Sequence, residues 1–363
     1  MNDVAIIGSG PAGLATAIGA ALRGLSVAVF DKQAGDIDKA CGEGLMPAGL
    51  SALEHLGALQ HLDRHDSAPF DSITYVQESG TRAVGRLPAP GGLGVRRLAL
   101  SAALRKRAVE VGVVLHERTG IRSHARTEQG VELTADTGTF HAKVLVAADG
   151  LHSQCREREG LAGPTASLRR FGLRRHVQLA PWGRSVEVHF APGVEAYLTP
   201  AGTKRVGVAF LWEDGALSGD LGFEALLARF PVIEARLRGV PFDSTPRGAG
   251  PLLQHVKRRV APRFALVGDA AGYVDAITGE GLTQAFEGAA ALVAVLPEVI
   301  AQQGAVEAFA PYERAAQAAF ARYARLAHTL VWTAHRPWLR KGVVGLLARS
   351  PWLFERTLRF ALG

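Results

Sequence analysis

Cysteine is nearly absent from this chain of 363 residues: Cys41 and Cys155 are the only two, too few for a disulfide framework and in keeping with a reducing compartment. Nothing in the pattern suggests a metal site. Aromatic residues are sparse, at 7%, and they do not interleave with the scattered arginine pairs. Nucleic-acid binding is therefore not expected, despite a formal charge of +7 and a pI near 9.7. No basic segment precedes an apolar one at the start, because Met1-Asn2-Asp3 leads directly into an apolar run, so a cleaved secretion signal is not expected. Apolar runs such as Ala289 to Leu296 fall short of the ~18–20 residues that span a bilayer. The expected location is cytoplasmic, with a membrane-peripheral one as the alternative. Internal repeats and low-complexity linkers are also missing.

Apolar residues are plentiful, at 48%, enough for one large or two intertwined domains. The most informative stretch is Met1 to Asp31. Val4 to Ile7 runs into Gly8-Ser9-Gly10-Pro11-Ala12-Gly13, then an Ala/Leu-rich helical pattern, then Val27 to Phe30 and Asp31. Strand, tight turn, helix, strand and acid follow in the order a dinucleotide site requires. Gly8 permits the turn, Gly10 lets the backbone approach a pyrophosphate, and Gly13 lets helix and strand pack closely. Pro11 and Ala12 then open the helix whose N-terminus faces the phosphates, and Asp31, with Lys32 beside it, is placed to accept from a ribose hydroxyl. By itself this block allows NAD, NADP or FAD.

Farther along, Lys39 to Pro47 reads as irregular backbone around Cys41-Gly42-Glu43-Gly44, and Ala48 to Leu59 as a short helix. Ser72 to Leu87 suggests a pair of strands and Pro88 to Gly94 a loop, followed by a helix through Leu98, Leu100, Leu104 and Val109. Strands are predicted at Val113 to His116, Gly130 to Thr134 and Gly138 to Val146, the last delivering Asp149-Gly150. Residues 169 to 211 carry a run of strand patterns, followed by helix from Phe223 to Arg236. Phe264 to Val267 then delivers Gly268-Asp269, with a loop before Gly279-Glu280-Gly281 and a helix from Leu282. In the helical tail, Pro311, Pro337 and Pro351 mark breaks or starts.

Three separated blocks stand out: Gly8 to Gly13 with Asp31; Asp149-Gly150 with Ser153 and Arg156; and Gly268-Asp269 with Gly279 to Leu282. In this order they resemble the FAD-dependent superfamily of single-component aromatic hydroxylases, flavin halogenases and geranylgeranyl reductases. The resemblance covers essentially the whole chain. It implies an α/β fold: a Rossmann-like FAD-binding domain (residues 1–70, 94–165 and 250–330), an inserted antiparallel β-sheet substrate domain (71–93 and 166–249) and a helical C-terminal tail (331–363). It also implies Arg97 near the pyrophosphate, Asp149 behind the dinucleotide turn and Asp269 on the ribityl hydroxyls. Gly279, Gly281 and Leu282 then aim a helix N-terminus at the flavin pyrimidine edge. For Asp149 the bland alternative is a turn acid, for Arg97 a surface cation, and for Asp269 a helix cap.

The flavin blocks do not choose a reaction. Lys39 to Pro47 resembles a loop of geranylgeranyl reductases in which a Cys-Gly pair lies near the isoalloxazine, and Gly272 stands where many aromatic hydroxylases carry His. Ala276 departs from both groups, which commonly place Pro there. Halogenases carry a Trp-x-Trp-x-Ile-Pro block, whereas this chain reads Ala196-Tyr197-Leu198-Thr199-Pro200. Hydroxylation of an aromatic, polyketide-like or other hydrophobic molecule with NADH or NADPH as electron donor is placed first. Reduction of a C=C bond in a prenyl or lipid substrate comes second, and a non-catalytic flavin redox module third. Cys41 and Glu43 are the candidate catalytic residues, against a small buried thiol and a loop-capping acid; Tyr197 is the candidate substrate contact, against sheet core. Trp332, Trp338 and Trp352 recur among arginines in the tail, which suits an interfacial helix on anionic lipid or a packed helix with snorkelling arginines.

Overall fold

The computed structural model describes residues 1–165 and 168–362. The expected start of the second substrate-domain segment at residue 166 and the tail's final Gly363 lie outside the described residues.

A mainly parallel sheet forms the base. Its central strand, Asn2–Ile7, pairs in parallel with Val27–Phe30 on one side and Gly138–Ala147 on the other. Phe264–Leu266 and Val114–His116 extend it outward in the same direction. A hairpin of Ile121–Arg126 and Val131–Ala135 lies antiparallel along the start of Gly138–Ala147. The strand at Ile121–Arg126 was not expected, because most of its side chains face water and its apolar alternation is weak. Val4, Ile6, Val144 and Val146 are fully buried beneath Leu14 and Ile18 of the helix Pro11–Leu22, and beneath Phe286, Leu292 and Leu296 of the helix Gly281–Ala301. Burying each such side chain is worth roughly 1.5–3 kcal/mol, so this sandwich holds the domain together.

The helix Gly281–Ala301 is 21 residues long and, by length and composition, apolar enough to cross a membrane; it is longer than the apolar run read from sequence. It packs instead against Pro11–Leu22, Pro47–His55 and Ala310–Ala334 in the protein core.

A second sheet has the order Arg247–Ala249, Arg170–Val177, Arg205–Glu213, Val194–Gly202, Ser185–Ala191, Ser72–Val76, Arg82–Arg86. Its pairs are antiparallel, except that Ser185–Ala191 runs parallel to Ser72–Val76. That exception arises because the chain returns to the first sheet between those two strands. A small sheet of Gly44–Leu45, Ser67–Phe70 and Gly92–Val95 joins the layers. Both Gly44–Leu45 and Gly92–Val95 were expected as irregular backbone; pairing across the layer junction makes them strands despite their glycines.

The helix expected from Phe223 to Arg236 is two short ones, Phe223–Leu227 and Pro231–Leu237, because Pro231 has no N–H with which to continue the first. Pro311, Pro337 and Pro351 each open a helix: Ala310–Ala334, Pro337–Arg349 and Pro351–Leu362. Residue 331, the expected start of the tail, falls inside the first of these.

Candidate functional site

Register explains why three distant blocks meet. Ile7 lies beside both Phe30 and Ala147, and Ala147 lies beside Leu266, so four neighbouring parallel strands end level. The next residues are Gly8, Asp31, Ala148-Asp149 and Val267-Gly268. Ligands of open α/β sheets bind beyond such carboxyl ends.

The turn has the geometry its sequence predicts. Gly8 sits at φ +103°, where a Cβ would fall 2.4 Å from the Ala148 carbonyl oxygen, and a Cβ on Gly13 would fall 2.0 Å from the Gly8 oxygen. Around Gly10 a Cβ would meet nothing within 4 Å, leaving the amide-rich helix start open. Asp31 turns its carboxylate onto the loop: Oδ2 accepts from Ser9 N at 2.8 Å and Ser9 Oγ at 2.9 Å, and Oδ1 from Gln33 N at 2.9 Å. Lys32 and Gln33 line the cavity beyond it.

Asp149 accepts from Ser153 Oγ and, at 3.1 Å, from Cys155 N, so it fixes the turn under Gly8. Arg156 braces the neighbouring block, donating to the carbonyl oxygens of Leu151, Asp269 and Ala270 and to Gln254 Oε1. Gly268 to Ala271 forms a 3-10 turn rather than the expected loop, with Gly268 at φ +63° against Ala12. Among the described residues no group donates a hydrogen bond to the Asp269 carboxylate. Burial pushes that carboxyl above its ordinary range, while Lys39, Arg97 and Arg156 pull it back. Gly279, at φ +70°, ends the turn Ala276–Thr278, and Gly281 and Leu282 begin the long core helix on the cavity wall.

Arg97 opens the helix Arg97–Glu110 and is 5% exposed, so it is not a surface cation. Its Nη1 is buried without a partner among the described residues. Burial lowers its pKa, and Cys41, Asp269 and Glu43 oppose that shift. An orphaned guanidinium nitrogen on a cavity wall is costly unless an anion meets it.

Glu43 takes an unusual left-handed conformation, φ +59°, and is 1% exposed. Its Oε1 accepts from Arg97 N at 2.9 Å, and its Oε2 lies 2.6 Å from His176 Nε2. Arg174 stands 3.7 Å from Oε1 and also holds Asp38 and the Lys39 carbonyl oxygen. The acid thus clamps the loop to a helix N-terminus and to the second sheet. Cys41 Sγ accepts from Glu43 N at 3.3 Å and lines the cavity. Burial pushes its thiol up, with Arg97 acting against the shift and Glu43 with it.

One cavity of about 600 Å³ runs from Gly10, Pro11 and Ala12 past Cys41, Arg97 and Asp269 to the second sheet. There its wall is Val186, Tyr197, Leu211 and Leu252, with Met46, Tyr273 and Ala276 alongside. Among the described residues the buried Tyr197 hydroxyl has no partner, and burial holds its pKa well above 10. These features fit a dinucleotide flavin: open amides at Gly10, an unpaired cation at Arg97, an acceptor at Asp269, and apolar room beyond.

His176 and Arg174 were not singled out from sequence. The signal was present, since Arg170, Arg174 and His176 recur at even spacing on one face of a strand and are all buried. Buried charge on a strand face marks a paired network or a site.

The family described as FAD binding domain matches residues 1–208. The menaquinone reductase of Mycobacterium tuberculosis is 28% identical over 318 residues, 78% of this chain and 74% of that protein. Digeranylgeranylglycerophospholipid reductase 2 of Methanopyrus kandleri is 28% identical over 301 residues, 77% of this chain and 73% of that protein. Among solved structures, halogenase PltM in complex with phloroglucinol and FAD superposes with a TM-score of 0.80 at 18% identity, covering 98% of this chain and 85% of the other. A flavoprotein/dehydrogenase from Cytophaga hutchinsonii gives 0.80 at 19% identity, covering 96% and 92%. The fold and the site define a flavoprotein oxidoreductase. The chain belongs to the FAD binding domain family.

Proposed function

We propose that the protein is an FAD-dependent reductase of a C=C bond in a long apolar, prenyl-type substrate, with NADH or NADPH as electron donor. The order of the two enzymatic readings is thereby reversed from that of the sequence. The carrying observation is a thiol held protonated on the wall of a cavity that joins the dinucleotide turn to an apolar sheet face. Support comes from relatives by sequence named as reductases, one of a digeranylgeranyl phospholipid.

Bound FAD supplies the two-electron redox chemistry. The residues that would hold it are Gly8 to Gly13, Asp31, Lys32, Arg97, Asp269 and the helix start at Gly281-Leu282, with Asp149 fixing the turn beneath. Val186, Leu211 and Leu252 exclude water and seat the apolar chain. Cys41 Sγ keeps its proton near neutral pH and gives it to the carbon that the reduction leaves electron-rich, and Arg97 stabilises the thiolate left behind. Glu43 is a positioning residue, because its carboxylate holds the Cys41 loop against Arg97 N and His176.

One observation favours hydroxylation instead. The unpaired Tyr197 hydroxyl can donate to a substrate oxygen, which a phenolic or polyketide-like molecule has and a hydrocarbon chain lacks. Anaerobic turnover separates the readings. Saturated product from a prenyl substrate without oxygen supports the reductase, whereas product that forms only in oxygen and carries one of its atoms overturns it. Cys41→Ser is expected to lower reductive turnover roughly 100-fold with FAD still bound.

A further inference from the structure

The net charge of this chain is not spread over it. Eight of its 41 Lys and Arg lie beyond Phe320, with Glu355 the only one of its 34 Asp and Glu there, so the first 320 residues are formally neutral and the whole +7 sits on the C-terminal helices. On those helices each residue has a defined face. Val344, Leu347, Phe354 and Leu358 point inward and join the apolar cluster that contains Val186, Tyr197 and Leu252 of the cavity wall. The opposite face is apolar too: Trp338 is 73% exposed, Leu346 52%, Trp352 64% and Phe360 91%. Lys341 and Arg349 fall on the Trp338–Leu346 stripe, and Arg356 and Arg359 on the Trp352–Phe360 stripe, at three- and four-residue spacings. Trp332, 52% exposed, carries the Arg336 guanidinium 4.2 Å above its ring.

We propose that Pro337–Arg349 and Pro351–Leu362 form a face that docks on an anionic lipid surface. Such helices lie in the plane of the headgroups, with Trp and Phe at the acyl boundary and Lys and Arg on the phosphates. Charge decides between occupants. A second copy of the same face would bring like charges together, which disfavours a symmetric dimer there. A nucleic acid would match the charge but not the aliphatic Leu346. The inference does not depend on which reaction the flavin site performs. It places an apolar wall of that site directly behind the docking helices, where a lipid-dissolved substrate would be close at hand.

The test uses the full chain with FAD bound and vesicles of phosphatidylcholine alone or mixed with phosphatidylglycerol. Co-sedimentation is expected with the mixed vesicles only, weakening at high salt, together with a blue shift of tryptophan emission, since Trp338 and Trp352, two of the five tryptophans, lie on this face. Two variant pairs, Trp352→Ser with Phe360→Ser and Arg356→Glu with Arg359→Glu, are each expected to weaken binding roughly tenfold or more. Flavin absorbance and thermal midpoint report that they remain folded. Any of four results would overturn the proposal: no binding to mixed vesicles, equal binding by wild type and both variants, a dimer that removes these tryptophans from quencher, or tighter binding to a duplex oligonucleotide than to the vesicles.

Discussion

Glu280 stands at the entry to the long core helix, 6% exposed, and burial raises its carboxyl to about 7 from an unfolded value near 4.5. A raised acid pKa means that the folded chain keeps a proton the unfolded chain has lost. Stability is therefore full below about pH 4.5, falls as pH rises to about 7, and stays low above it. Glu280→Gln removes the titration. The variant should match wild type in urea midpoint near the bottom of that window and exceed it by about 1–3 kcal/mol above its top. Equal midpoints throughout would show that the carboxyl is not desolvated. Gly10 offers a second residue-level test. Its φ of −70° suits any residue and no protein atom blocks a side chain, so Gly10→Val should leave the apoprotein fold intact. The added methyls would occupy the space above the helix start. Overpacking of about 1–3 kcal/mol is roughly a 10- to 100-fold loss of FAD affinity by equilibrium dialysis. Unchanged affinity would place the cofactor elsewhere.

Among the elements, the terminal helix Pro351–Leu362 has the clearest single anchor. Phe354 is 2% exposed; its ring lies 5.0 Å from that of Tyr75 and against the backbone at Gly85, where a Cβ would come within 2.7 Å of it. Phe354→Ala should cost about 3 kcal/mol or more by cavity formation. Because Phe354 and Leu358 are the only buried side chains of this helix among the described residues, the loss should appear first as proteolysis beyond Ser350, with FAD absorbance retained. Cleavage spread evenly over the chain would contradict that. Elements were legible in the sequence where one rule dominated. The Val4–Ile7 run followed by Gly8, and prolines opening three helices, each follow from local chemistry. Glycine-rich Gly44–Leu45 and Gly92–Val95 were not legible as strands, because their partners are remote. In the site, the Gly8–Gly13 turn with Asp31 could be read from spacing, and the two later blocks that meet it at the strand ends from resemblance. The clamp of Glu43 on His176 could not, because a separation of 133 residues leaves no local pattern.

At the scale of the whole molecule, the proposed cofactor site is built from Gly8–Asp31, Arg97, Asp149–Arg156 and Gly268–Leu282, segments that share no covalent neighbour. They are held together by three parallel strands, by Arg156 between two blocks, and by Tyr312, whose hydroxyl donates to the Leu266 carbonyl oxygen. A ligand touching all of them binds only the folded chain, so it must stabilise by mass action. At a hundredfold excess over its dissociation constant the gain is about 2.7 kcal/mol. In a chain of this size that raises the thermal midpoint by roughly 2–4 °C, with a further rise for each tenfold increase in FAD. At the same FAD concentration Gly10→Val should cut the rise to about half or less while leaving the apoprotein midpoint within about a degree, since a Cβ there would meet no protein neighbour. Arg97→Ala should reduce the rise and lower the apoprotein midpoint as well. The guanidinium is buried within electrostatic reach of Glu43 and Asp269, and removing it takes one compensating positive charge from both carboxylates. If both variants lost only FAD binding, Arg97 would be a ligand contact and nothing more; if both lost only apoprotein stability, the turn at Gly10 would serve the fold rather than the flavin.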